Sequence, residues 1–178
     1  MTSRAVSLSA SHPLIKAYHR SLTETRLLGV EHESALRHAF QNLLRETARL
    51  HGWNLIAELG AKAGGRRIQP DGTLWDANNL PRGYWEAKDS RDDLEREVRR
   101  KIDKGYPTGN IIFEDTQRAV LYQDRARAFE ADLADPRQVA DLLHRFYSHT
   151  EPQIRKFEEA VEQFEQRVPE LARGLAKD

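Results

Sequence analysis

Three side chains stand out by type and spacing: Asp71 in Pro70-Asp71-Gly72, and Glu86 and Lys88 in Glu86-Ala87-Lys88. In an extended strand, residues two apart share a face, so Glu86 and Lys88 project together while Trp85 and Ala87 face the opposite, buried side. Asp71 lies 15 residues before Glu86, room for the end of one strand, a loop and the start of its neighbour. If the two strands are antiparallel, their carboxylates lie side by side. Two adjacent carboxylates and a backbone carbonyl make a hard-oxygen site suited to Mg²⁺. Such an ion lowers the pKa of a bound water and neutralises charge developing on a phosphorane, and a nearby lysine can orient that water or stabilise the anionic transition state. This is the chemistry of phosphodiester hydrolysis. The plainer reading is that Asp71 is a turn residue favoured before glycine and that Glu86–Lys88 is a solvated strand-edge pair. Against it, of the seven lysines only Lys88 has an acidic residue two positions before it, and it falls on a predicted strand.

The elements that must position these residues follow from periodicity. Pro13 opens a helix to about Leu28, with Leu14, Ile15, Tyr18 and Leu22 on one face. A second helix spans about Glu31 to His51, with Leu36, Phe40, Leu43, Leu44 and Ala48 at helical spacing and Gly52 placed to end it. Trp53–Gly60 reads as a strand, 61–67 as a basic, glycine-rich turn, and Ile68–Trp75 as a strand broken near Pro70-Asp71-Gly72. Gly83–Lys88 has the aromatic enrichment of a strand. Ser90–Lys104 is a charged helix with Ser90 as its cap, and two strands follow at Asn110–Glu114 and Ala119–Gln123. The remainder reads as helices over Arg125–Leu133, Pro136–Ser148 and Glu151–Leu175. The fold class expected is α/β: a mixed central sheet flanked by helices, with an α-helical C-terminal extension.

The order of these residues resembles the PD-(D/E)xK nuclease superfamily, here as Pro70-Asp71 and Glu86-Ala87-Lys88. The resemblance implies a restriction-endonuclease-like core in which Asp71, Glu86 and the backbone carbonyl of Ala87 hold the metal and Lys88 assists the attacking water. In many members a glutamate on the first core helix joins them; Glu33 is the better match and Glu46 the weaker. The run Tyr84–Asp89, Gly105-Tyr106-Pro107, Asn110–Asp115 and Ala119–Tyr122 is similar to N-terminal nuclease domains of single-chain restriction–modification enzymes of the Type ISP and Type IIG kinds. In those, the nuclease is fused to an adenine methyltransferase, with or without a helicase-like motor. This chain carries no methyltransferase motif and no GxxxxGK[ST] loop, so it reads as an excised domain or a stand-alone relative.

Composition bounds the partners. The 178 residues have room for one ordinary domain, and 28 basic against 28 acidic residues leave no net charge. DNA contact must therefore come from a local basic face. Arg66 and Arg67, just before Asp71, and Lys101 and Lys104 on the charged helix are the candidates for the DNA backbone. That helix otherwise reads as a salt-bridged solvent face, with Asp92–Arg96, Glu95–Arg99 and Glu97–Lys101 at favourable i,i+4 spacing. Cysteine is absent, which excludes disulfides and thiolate metal sites. No apolar run is long enough to span a membrane, and the first residues lack a signal-peptide core, so a cytoplasmic location is expected. The seven histidines are scattered, with no zinc-type spacing, and read as surface residues. Trp53, Trp75 and Trp85 read as sheet-packing residues.

In the last helix Ile154, Phe157, Val161, Phe164, Val168, Leu171 and Leu175 alternate steps of three and four, the spacing of a coiled-coil seam, with Pro169 set to kink it and Thr150 and Gln153 as a capping box. Such a stripe packs either on the domain's own core or, as an arm, on a following domain or a second copy. The expected organisation is thus a disordered tail over 1–12, a nuclease core over 13–124 and a helical extension or linker over 125–178. The function expected is Mg²⁺-dependent cleavage of double-stranded DNA, with Mn²⁺ able to substitute, as the cutting module of a restriction–modification enzyme. Two alternatives stay open: a repair or recombination nuclease on the same fold, and a non-catalytic DNA-binding or interaction module.

Overall fold

Helical spacing in the first fifty residues produces two packed helices. In the computed structural model, which describes residues 8–27, 33–57, 61–63, 66–89 and 93–175, they are α1 (Pro13–Leu27) and α2 (Glu33–Leu50). Of these residues, the side chains of 26, 33–36, 61–63, 66–67, 166 and 170–175 stand outside the description. Ile15, Tyr18 and Leu22 of α1 meet Phe40, Leu43, Leu44 and Ala48 of α2 in one buried cluster, as their spacing predicts. Gly52 follows at φ +71°, the left-handed conformation that glycine adopts without strain at a helix end.

The strands are β1 (Asn54–Ala57), β2 (Ala61–Ala63), β3 (Arg66–Ile68), β4 (Gly72–Trp75), β5 (Pro81–Ala87), β6 (Asn110–Glu114), β7 (Arg118–Gln123) and β8 (Ala126–Asp132). Six of them form one mixed sheet in the order β1-β4-β5-β6-β7-β8. Among the described residues, only β5 and β6 pair in parallel. The crossover between them carries α3 (Leu94–Asp103), since parallel neighbours need a long connection. One sheet face packs on α1, α2 and α4 (Pro136–Ser148), burying Trp85, Ile112, Leu121 and Phe146. The other packs on α3, burying Leu94, Val98, Ile111, Phe113 and Val120. Strand alternation sends Trp85 and Ala87 to the first face and Tyr84 and Glu86 to the second. The expected α/β architecture is the one observed.

Four local expectations change. The basic turn expected over 61–67 is an antiparallel pair, β2 with β3, with Lys62 opposite Arg67. Helix α3 is capped by Asp93, whose carboxylate accepts from the N–H groups of Glu95 and Arg96 at 3.0 and 3.4 Å; Ser90 lies outside the described residues. The expected helix over Arg125–Leu133 is strand β8. Its Ala, Arg and Glu are good helix formers, but pairing with β7 overrides that preference. Asp124 and Arg125, both at positive φ, make the two-residue turn that joins the strands. The sheet thus runs past residue 124, and α4 belongs to the core.

The tail expected over 1–12 ends earlier, because Leu8 is buried in the α1/α2 cluster; residues 1–7 lie outside the described residues. Helix α5 (Pro152–Leu175) starts with Pro152 in its first turn and the Arg155 N–H bonded to the Glu151 carbonyl, one residue later than a cap at Thr150 requires. It continues through Pro169. Phe157, Val161, Phe164 and Val168 are exposed on it, so these four side chains are not buried in the domain's own core.

Candidate active site

The β4–β5 register decides where the two acids meet. Gly72 lies opposite Trp85, so Asp71, one step before β4, lies opposite Glu86. The backbone N–H of Asp71 donates to Glu86 Oε2 at 3.3 Å, and the N–H of Ala87 donates to Asp71 Oδ2 at 2.8 Å. Glu86 is 2% exposed. Its Oε1 accepts from Lys88 Nζ at 2.7 Å and is also ion-paired with Lys101 of α3. The backbone of Lys88 is held by its own N–H, which bonds the Glu114 carbonyl of β6 at 2.7 Å. The three residues singled out by spacing therefore converge, and the solvated strand-edge alternative fails: Glu86 and Lys88 are both largely buried.

Electrostatics mark this as a site under charge stress. Burial, then the neighbouring Glu86 carboxylate, pushes the Asp71 carboxyl above the usual range, only partly offset by the Ala87 N–H, Arg37 and Lys88. Arg37 of α2 is ion-paired with Asp71 and sits over the Trp85 ring, 5.8 Å from its centroid. Burial pulls the Lys101 ammonium down, but its bonds to Glu86 and Tyr106 outweigh this and hold it above the ordinary lysine range. On the other sheet face, burial drives Glu114 up to about 8, although it accepts from Thr116 N–H at 2.7 Å and Trp85 Nε1 at 3.3 Å.

The donor set fits a hard divalent cation. Asp71 and Glu86 bring two carboxylate groups together across the strand pair, and the Ala87 carbonyl lies on the same strand as Glu86. Among the described residues no group of three His, Asp or Glu side chains could hold a metal. A third carboxylate would come from Glu33, the first residue of α2 and one turn before Arg37; its side chain lies outside the described residues. Glu46 takes no part: it is ion-paired with Arg49 far along the same helix.

The basic residues separate. Arg66 and Arg67 lie on β3, which leads through Ile68 towards Asp71, and their side chains are outside the description. Lys104 is an exposed residue at the end of α3. Lys101, expected at the DNA backbone, instead turns inward to Glu86, while Glu97 pairs with Arg100 and Glu95 with Arg127 of β8. Spacing alone missed Arg37 and Tyr106 as parts of the site and gave Lys101 a place at the DNA backbone instead. Arg37 carried one usable signal, its position one turn after Glu33. The histidines are not all on the surface either: His19 bonds the carbonyls of Ile15 and Leu133, and His51 stacks on Tyr147 at 4.3 Å.

No protein-family model matches the sequence, and no curated protein does. Among solved structures, the chain is similar to one in a cryo-EM structure of a DrdV–DNA complex, at 40% identity and a TM-score of 0.77. The match covers 90% of this chain and 16% of that one, so the present chain spans about a sixth of the relative's length. A crystal structure of a DUF820 protein from Anabaena variabilis matches at 13% identity and a TM-score of 0.41, over 56% of this chain and 66% of that one, and at that distance carries no argument. The fold is the expected α/β, restriction-endonuclease-like one. Among the described residues, no helix is long and apolar enough to cross a membrane.

Proposed function

We propose that this chain is a Mg²⁺-dependent DNA endonuclease module, the cutting part of a restriction–modification enzyme of the kind the PD-(D/E)xK resemblance implies. The observation that carries this reading is the meeting of Asp71 and Glu86 across β4 and β5 with Lys88 on Glu86. The 40% identity to a chain solved in complex with DNA supports double-stranded DNA as the partner. Asp71, Glu86, the Ala87 carbonyl and Glu33 would hold the metal, with Mn²⁺ able to replace Mg²⁺. When bound, the ion supplies a water of lowered pKa and neutralises charge on the phosphate under attack.

The chain's own residues do the rest. The Ala87 N–H orients the Asp71 carboxylate, and β5 presents Glu86 and Lys88 from one face. Lys88, in a poorly hydrated position, offers a proton-donating cation to the water or to the phosphate oxygens. Arg66, Arg67 and Lys104 supply contacts to the DNA backbone. The zero net charge suits a module aimed by a fused or associated methyltransferase or motor unit. A cytoplasmic location goes with this role.

Cleavage of matched linear duplex, forked and four-way-junction DNA in Mg²⁺, each with a chelator control, tests the reading. Chelator-sensitive cutting of linear duplex at least as fast as of the branched substrates supports it. Preference for forks or junctions would move the assignment to a repair or recombination nuclease, and absence of both cutting and Mg²⁺ binding to a non-catalytic module.

A further inference from the structure

Lys101 is held from two directions. Its Nζ is ion-paired with Glu86 Oε1, the oxygen Lys88 also contacts, and donates to the Tyr106 hydroxyl at 2.9 Å. The Tyr106 hydroxyl donates to the Gln69 carbonyl at 2.9 Å, two residues before Asp71. A phenol has one proton, so the chain of bonds has one direction: Lys101 to Tyr106 to Gln69. The ammonium also lies 4.5 Å from the centre of the Tyr106 ring. The pair therefore ties α3 at once to the strand bearing Glu86 and to the segment entering Asp71.

Among the described side chains, two carboxylates face three cations: Arg37, Lys88 and Lys101. A divalent ion approaching Glu86 meets two ammonium groups on Oε1 and finds only Oε2 clear of them. We propose that Lys101 and Tyr106 are a positioning pair, in which Lys101 is a built-in cation that the metal displaces from Glu86 while Tyr106 keeps it beside the site. This rests on the metal-dependent reading above. Lys88 shares a strand with Glu86 and stays in place; Lys101 stands on a separate helix and has a second anchor. Lys101 is then a residue acting through Glu86, not one of a row of DNA-backbone lysines.

The test is calorimetric titration with Mg²⁺, without DNA, of the full 178-residue chain and four variants. Loss of the competing cation should make Lys101→Met bind Mg²⁺ at least about fivefold tighter than the parent. Lys101→Arg, which keeps the charge, should stay within about twofold. Tyr106→Phe loosens the anchor and should tighten binding by roughly two- to threefold; it decides the matter if Lys101→Met does not fold. A merely structural role predicts weaker binding, not tighter. Unchanged or weaker affinity in folded Lys101→Met, or in Tyr106→Phe where Lys101→Met does not fold, overturns the proposal but leaves the metal reading intact provided Asp71→Asn loses binding. Equal binding by parent and Asp71→Asn overturns both.

Discussion

The N–H of Ala87 donates to Asp71 Oδ2 at 2.8 Å, so the strand that carries Glu86 and Lys88 also fixes the second carboxylate. One backbone register therefore sets the whole candidate site. Among the described side chains, α2 and α3 bring Arg37 and Lys101 to it. A site built on a strand pair is more rigid than one built on loops.

The raised Asp71 carboxyl has a consequence for metal binding. A carboxylate ligand must be ionised to bind a cation. Burial and the Glu86 charge hold the Asp71 proton on to higher pH than in an ordinary aspartate. Mg²⁺ affinity should therefore start to fall, as pH is lowered, above the ordinary aspartate range, with proton release accompanying binding there. Calorimetry in buffers of different ionisation enthalpy measures that release. Affinity independent of pH down to about 4 would contradict it.

Glu114 makes a separate prediction about stability. Its carboxyl ionises at about 8 in the fold against 4.5 in the unfolded chain, chiefly through burial. A raised acid pKa means that the fold favours the protonated form. That contribution is complete below 4.5 and is lost as pH rises to about 8. Glu114→Gln, a neutral mimic of the protonated acid, should match the parent near pH 5 and exceed it above pH 8 by a few kcal/mol, roughly, in denaturant unfolding. Parallel stability profiles for the two proteins across that range would refute it.

Asp93 holds the first turn of α3, the helix that delivers Lys101. Asp93→Ala should destabilise the protein by about 1 kcal/mol. Asp93→Ser, which keeps a capping oxygen, should recover most of the loss in the same unfolding measurement. Equal stability of Asp93→Ala and the parent would show that the cap is not formed in solution.

The chemistry-bearing residues were legible because strands have a fixed period and because acid–x–lysine occurs once in the chain. The two N-terminal helices and the strands around Glu86 and Ile112 were legible for the same reason, strong patterning on a buried face. Edge strand β8 was not. Its side chains are mostly exposed, so they carry little apolar alternation, and its turn uses Asp124 and Arg125 at positive φ in place of the glycine that announces a hairpin. Lys101 was read as a contact to the DNA backbone because spacing along one helix does not show a partner on another element. In the fold, that ammonium meets the buried carboxylate of Glu86 on β5, while Glu97 pairs with Arg100. Tyr106 stood in the run that carried the resemblance, but no spacing showed its bond to Gln69, which depends on the segment after α3 meeting the one before Asp71.

The central claim is that Asp71, Glu86 and Lys88 together cut DNA. The most direct measurement is nicking of supercoiled plasmid in Mg²⁺ or Mn²⁺ by the parent, Asp71→Asn and Lys88→Ala, with circular dichroism confirming that all three are folded. Loss of at least about 100-fold in rate for each variant, with unchanged fold, is the result predicted. Nicking by either variant as fast as by the parent would contradict the account.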